Sequence, residues 1–237
     1  MAAKRKKTAP TEDIADKVRR ATTPIQKLNR FEPKSALQVE VLKVIGQHDV
    51  SFVIGPTGTG KTYLTVVAGL RSLFKRGGNV DKLIIVRPAI TAQEDIGFLP
   101  GGADEKLAHF VAPVHDHICD LIGKDEFKKL CEKGKIETIP VGYLRGRNFK
   151  NSFVIFDEAQ NATIDQFKLV ITRIADNSKV VVCGDVRQCD IYEKQSGLND
   201  AVPRFNDDPS FGFINLPPTE IHRHPIVAKI LAKYDEY

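Results

Sequence analysis

The octapeptide GPTGTGKT at residues 55–62 stands between the apolar run 51–54 and the stretch 63–68, TYLTVVA in outline from Thr62 onward. Its spacing fits G-x-x-x-x-G-K-[ST], with Gly55, Gly60, Lys61 and Thr62 at the fixed positions. Such a loop works where a strand ends and a helix begins. Glycines let backbone N–H groups turn inward around phosphate oxygens, and the helix N-terminus adds positive potential. The apolar run before the loop and the amphipathic stretch after it supply that setting and argue against a plain glycine turn. Pro56, Thr57, Gly58 and Thr59 complete the cradle. Lys61 is expected to reach the β- and γ-phosphates of a bound nucleotide, and Thr62 to bind Mg²⁺.

The pattern around the loop sets the fold class. Residues 31–45 carry Leu37, Val41, Val44 and Ile45 at helical spacing behind Pro33 and Ser35. Short apolar runs recur at 52–54, 83–86, 136–139, 153–156, 180–183 and 213–216, and read as strands buried on both faces. Amphipathic stretches at 62–74, 103–122 and 164–174 lie between several of them. Alternating buried strands and helices predict an α/β domain with a mostly parallel sheet flanked by helices on both faces.

With 237 residues and 42% hydrophobic content, the chain has material for one sizeable core. The net charge of +5 is unevenly spread: residues 1–30 hold 9 Lys and Arg against 3 Asp and Glu, and the remainder 26 against 27. Residues 1–30 are therefore expected to form a basic, flexible tail and 31–237 the domain. Its Lys4-Arg5-Lys6-Lys7 and Arg19-Arg20 clusters are suited to a polyphosphate backbone or to simple solvation. The basic N-terminus has no apolar stretch behind it and no run of about 18 apolar residues occurs, so neither a membrane span nor a secretory signal is expected. Cys119, Cys131, Cys183 and Cys189 show no CxxC pairing, which suits a reducing, cytoplasmic setting.

Hydrolysis needs an acid that holds Mg²⁺ and a base that orients the attacking water. The run FVIFDEAQ at 153–160 offers both where a strand ends: Asp157 for the metal and Glu158 for the base. A second apolar run leads into Gly184-Asp185-Val186-Arg187-Gln188, where the amide of Gln188 can both donate and accept beside the γ-phosphate. Gln38, 17 positions before the loop, is a candidate for the adenine edge. Arg87, at the end of its strand, is a candidate contact for a phosphate backbone. His115 and His117, spaced as a metal pair could be, are expected to serve packing or solvation instead.

Taken in order, GPTGTGKT, DEAQ and GDVRQ resemble motifs I, II and III of superfamily 1 helicases, and more narrowly those of the PhoH family of ATPases. The likeness extends to IVRPA at 85–89, IGFLPG at 96–101, YLRGR at 143–147, SGL at 196–198 and RHPIV at 223–227. It departs from the family at Cys189-Asp190-Ile191-Tyr192, where many members have Ile-Asp-Leu-Pro. The resemblance implies a RecA-like core and ATP hydrolysis linked to single-stranded nucleic acid, RNA more than DNA. Helicases of superfamily 1 draw arginines from a second RecA-like domain, for which this chain is too short. An arginine in trans is then expected, from a homo-oligomer such as a hexamer, with Arg223, Arg145 and Arg147 as candidates. The alternative is a nucleotide-dependent switch or loading factor for a protein partner such as a nuclease.

Overall fold

The computed structural model describes residues 24–88 and 103–220. Six strands form one sheet: β1 (Val50–Ile54), β2 (Lys82–Arg87), β3 (Ile136–Pro140), β4 (Ser152–Phe156), β5 (Lys179–Gly184) and β6 (Phe211–Asn215). Their order across the sheet is β3-β2-β4-β5-β1-β6, and every neighbouring pair is parallel. The helices are α1 (Pro24–Asn29), α2 (Ala36–Gln47), α3 (Lys61–Leu73), α4 (Ala103–Ile122), α5 (Lys124–Glu132), α6 (Ile164–Ile171) and α7 (Gly197–Phe205). The expected RecA-like α/β architecture is the one observed.

Alternation along the strands divides the core in two. Val53, Leu83, Ile85, Phe153, Ile155, Val181 and Cys183 point to one face, where they meet α1 to α5. Phe52, Ile84, Val86, Val154, Phe156, Val180 and Val182 point to the other, where they meet α6 and α7. Phe52 is the hub of this second layer: its ring stacks on Phe213 at 4.3 Å between centroids and lies within 6.4 Å of Phe167, Phe205 and Phe211. Burial on both faces holds for the inner strands. The edge strands β3 and β6 keep half-exposed residues, because each has a neighbour on one side only.

Helix limits follow local chemistry. Ser35 caps α2 by accepting from the Gln38 backbone N–H, so the helix starts directly behind the Pro33-x-Ser35 signal. Thr163 and Gln166 form a reciprocal capping box that starts α6. The same helix stops at Ile171 although apolar spacing continues to Ile174, because Ile174 is drawn into a parallel bridge with Phe149. Helices α5 and α7 have weak sequence signatures: α5 buries only Leu130, and α7 carries Pro203. Pro24–Asn29, within the segment expected to be a tail, is helical, and its Leu28, 1% exposed, sits in the core. Both basic clusters of the tail lie outside the described residues.

Candidate active site

Parallel strands in one sheet all end on the same edge, and open α/β sheets place ligands there. That edge carries the 55–62 loop after β1, Arg87 at the end of β2, Asp157 and Glu158 after β4, and Gly184 to Gln188 after β5. A cavity of about 380 Å³ opens between them. Its lining includes Gly60, Lys61, Thr62, Arg87, Asp157 and Glu158.

The loop has the conformation its glycines allow. Gly60 takes φ +84 at the start of α3, in the left-handed region. Gly55 passes so close to Leu216 that a Cβ there would lie 2.5 Å from the carbonyl oxygen. Thr59 is fully buried and its hydroxyl donates to the Pro56 carbonyl, closing the turn at 2.9 Å. Lys61 Nζ folds over the loop and donates to the carbonyls of Gly55 and Pro56, at 2.6 and 2.9 Å.

Opposite the loop stand the two carboxylates. Thr62 Oγ1 donates to Asp157 Oδ1 at 2.7 Å, which joins the two residues expected to hold Mg²⁺. Asp157 is buried, and burial pushes its carboxyl above the usual range; the Arg87 guanidinium and the Thr62 hydroxyl work against that, while Glu158 adds to it. Arg87 lies between the acids, with Nε 3.2 Å from Asp157 Oδ2 and Nη2 3.6 Å from Glu158 Oε1. The set of a hydroxyl and a carboxylate 2.7 Å apart, facing a loop of backbone amides, is hard-oxygen chemistry that fits Mg²⁺.

Glu158 adopts φ 52 and ψ 40, a left-handed conformation uncommon outside glycine. This sharp turn at the end of β4 places both Asp157 and Glu158 in the lining of the cavity. Gln160 then holds the latter: Nε2 donates to Glu158 Oε2 at 2.7 Å, while Oε1 accepts from the Asp185 backbone N–H at 3.2 Å. Asn161 and Asp190 exchange two further hydrogen bonds, at 2.7 and 2.8 Å. Gln188 Oε1 accepts from Thr57 Oγ1 at 2.8 Å. Glu158, the loop after β5 and the phosphate loop are thus linked through side-chain hydrogen bonds.

Several expected site residues lie elsewhere. Gln38 is buried in the first turn of α2, where Oε1 accepts from the Lys34 backbone N–H, and it does not line the cavity. Arg87, expected at a nucleic-acid backbone, is instead inside the cavity and paired with both acids. Arg147 pairs with Glu137 at 2.6 Å and Arg145 is exposed, both in the segment after β3. Arg223 and the RHPIV stretch lie outside the described residues, as does IGFLPG. Two lining residues, Tyr63 and Pro113, escaped the sequence reading, and His117, expected to serve packing or solvation, lines the cavity as well. Burial pushes the Tyr63 phenol above its usual range and the His117 imidazole below its own. The two rings meet edge to face at 5.3 Å. Their signal was available in part, since Tyr63 follows the motif's last position directly.

Comparison with known proteins agrees with this geometry. A protein-family model described as PhoH-like protein matches residues 30–235. The chain is 42% identical over 204 residues to a PhoH-like protein of Synechocystis, an alignment that covers 85% of this chain and 61% of that one. It is 41% identical over 204 residues to a PhoH-like protein of Bacillus subtilis, covering 86% and 63%. To protein PhoH of Escherichia coli K12 it is 37% identical over 219 residues, covering 91% and 59%. The chain therefore spans about three-fifths of the length of these curated relatives. A phosphate loop, paired acids and a linked third loop on one sheet edge, together with a match over nearly all of the domain, identify the chain as a member of the PhoH-like protein family.

Proposed function

We propose that this protein hydrolyses ATP to ADP and phosphate, and that hydrolysis drives binding and remodelling or unwinding of single-stranded nucleic acid, with RNA favoured. The observation that carries the hydrolase reading is the convergence of Lys61, Thr62, Asp157 and Glu158 on one cavity, with the Thr62 hydroxyl already 2.7 Å from Asp157. In this reading backbone amides of 55–62 cradle the phosphates. Lys61 leaves the carbonyls of Gly55 and Pro56 for the β- and γ-phosphate oxygens. Thr62 and Asp157 would hold Mg²⁺, which when bound offsets phosphate charge and orients the terminal phosphoryl group. Glu158, steadied by Gln160, takes a proton from the attacking water. Gln188 joins the loop after β5 to Thr57, so the state of the phosphate loop is felt at an exposed segment.

Coupling to nucleic acid draws support from that segment. Tyr192, 81% exposed, follows the Asp190 contact, and Tyr143, 72% exposed, precedes Arg145 in the segment after β3. Both follow strands that end on the cavity's edge of the sheet. Exposed aromatics beside cations suit stacking on unpaired bases and contact with their phosphates. The same linkage also suits a switch that answers to a protein partner such as a nuclease. Turnover of the purified protein with and without RNA, DNA or that partner separates the two readings. Acceleration by bare polymer supports the first, and acceleration only by protein the second. Assembly into a homo-oligomer, with Arg145, Arg147 or Arg223 reaching a neighbour's nucleotide, belongs to the proposal. So does a cytoplasmic setting, in keeping with four free cysteines. Among the described residues no helix is long and apolar enough to cross a membrane.

A further inference from the structure

We propose that Arg87 supplies, within the same chain, an arginine contact to the terminal phosphate of the bound nucleotide. The inference rests on the nucleotide-hydrolase reading above and assigns a role to a residue that reading leaves unused.

The placement is built by the sheet. Arg87 ends β2, whose neighbour β4 ends one residue before Asp157, and the Asp157 backbone N–H donates to the Val86 carbonyl at 2.9 Å. The two side chains therefore leave adjacent strands at the same height. The Arg87 side chain is 10% exposed, which suits a small enclosed ligand better than a polymer lying across the surface. It lines the cavity together with Lys61 and Thr62.

What Arg87 touches fixes where it stands. Asp157 and Glu158 are the metal-holding and water-activating acids, and in a loaded site the terminal phosphoryl group lies between the metal and the attacking water. Arg87 contacts both acids at once, at 3.2 and 3.6 Å. Its guanidinium therefore already occupies the flank of the site that faces the terminal phosphate. Carboxylate and phosphate oxygens are matched by the same planar fork of N–H donors, so a phosphate can compete for it without a change in the kind of contact. Charge points the same way. Among the carboxylate, ammonium and guanidinium groups of the lining, Lys61 and Arg87 balance Asp157 and Glu158. A triphosphate adds negative charge at the end where Arg87 stands. A diphosphate stops short of it.

The inference predicts that Arg87 reads the γ-phosphate. Calorimetric affinities for Mg²⁺ with ADP and with the non-hydrolysable imido analogue of ATP would be compared in wild type, Arg87→Gln, Glu158→Gln and the double variant. The double variant removes one charge of each sign, so the net charge of the lining is kept and one of the two acids left facing the lost guanidinium is neutralised. Arg87→Gln and the double variant are expected to lose about tenfold of the preference for triphosphate over diphosphate, equivalent to about 1.4 kcal/mol, while ADP affinity changes less than about twofold. Glu158→Gln alone is expected to keep the preference. In wild type, the Nε–H resonance of Arg87 should move on adding the triphosphate analogue and stay in place with ADP. An unchanged preference together with a resonance that answers equally to both nucleotides would overturn the inference and leave the hydrolase reading standing. Failure of wild type to bind either nucleotide would overturn both.

Discussion

Glu158 shows how much of this site is decided by single residues. It accepts a left-handed backbone that ordinarily costs a non-glycine residue about 1 kcal/mol or more, and its carboxylate faces the same cavity as that of Asp157. Gln160 has two tasks in keeping it there. One end of its amide holds Glu158 and the other satisfies the buried Asp185 N–H. Gln160→Ala is therefore expected to lower kcat for ATP about tenfold with KM little changed, since the base loses its orientation while the phosphate loop is untouched. It should also lower stability by about 1–3 kcal/mol, the cost of an unpaired buried N–H. Steady-state kinetics and urea unfolding check both; a KM effect without a kcat effect would contradict the positioning role. Buried Cys183 lies just below, its thiol pushed up to about 12 by burial first and by Asp157 next, with Thr65 Oγ1 3.1 Å from its sulfur. It is inert packing beneath the cavity floor.

At the scale of elements, close approach between β5, α7 and the turn after β4 leaves no room at Gly184. A Cβ there would lie 2.5 Å from Leu198 Cδ2 and 2.7 Å from Gln160 Oε1. Gly184→Ala is expected to cost about 1–3 kcal/mol by overpacking and to lower turnover through the displaced Gln160. Thermal unfolding and kinetics on the same preparation would show whether the two losses travel together. The edge pair β2–β3 is joined by polar contacts: Glu137 accepts from Lys82 at 2.5 Å and from Arg147 at 2.6 Å. Burial alone would raise the Glu137 carboxyl, but these two partners together hold it below the usual range. With its folded pKa below the unfolded value of about 4.3, the carboxylate contributes stability above that pH and loses it as pH falls through the folded value. Because Lys82 and Arg147 are nearly half exposed, Glu137→Gln should cost about 1 kcal/mol or less at pH 7 and next to nothing near pH 3. Chemical denaturation at the two pH values tests this, and equal losses at both would exclude the ion pairs as the cause.

Across the whole molecule, the sequence was most legible where chemistry and period coincide. The loop 55–62, Asp157, Glu158 and Gln188 stand out as candidates from residue type and spacing, and all of them stand on one sheet edge because parallel strands end together. The helix Ala103–Ile122 was legible to the residue from its apolar spacing, Pro113 notwithstanding. What escaped depends on neighbours distant along the chain. Arg87 reads as a contact for a phosphate backbone on the ligand edge, but its pairing with both acids shows only when β4 is set beside β2. Gln38 looks like a nucleotide contact until the cap of α2 engages it. Leu28 is one of a few scattered apolar residues in a basic segment, and only the packed core shows that it is anchored. The departure Cys189-Asp190-Ile191-Tyr192 keeps the acid that pairs with Asn161 and exposes a tyrosine in place of proline. If that tyrosine stacks on unpaired bases, Tyr192→Ala should lower affinity for single-stranded RNA about tenfold while leaving basal turnover unchanged, a result that fluorescence anisotropy would measure.

The central claim is that Glu158 activates water against a nucleotide held by the 55–62 loop. Its most direct test is single-turnover hydrolysis of radiolabelled ATP with Mg²⁺ by wild type and Glu158→Gln, with ATP binding measured on the same samples. The account predicts that both proteins bind ATP with affinities within about threefold, and that the variant loses about a hundredfold or more of the chemical rate. A variant that binds and hydrolyses as wild type does would contradict it.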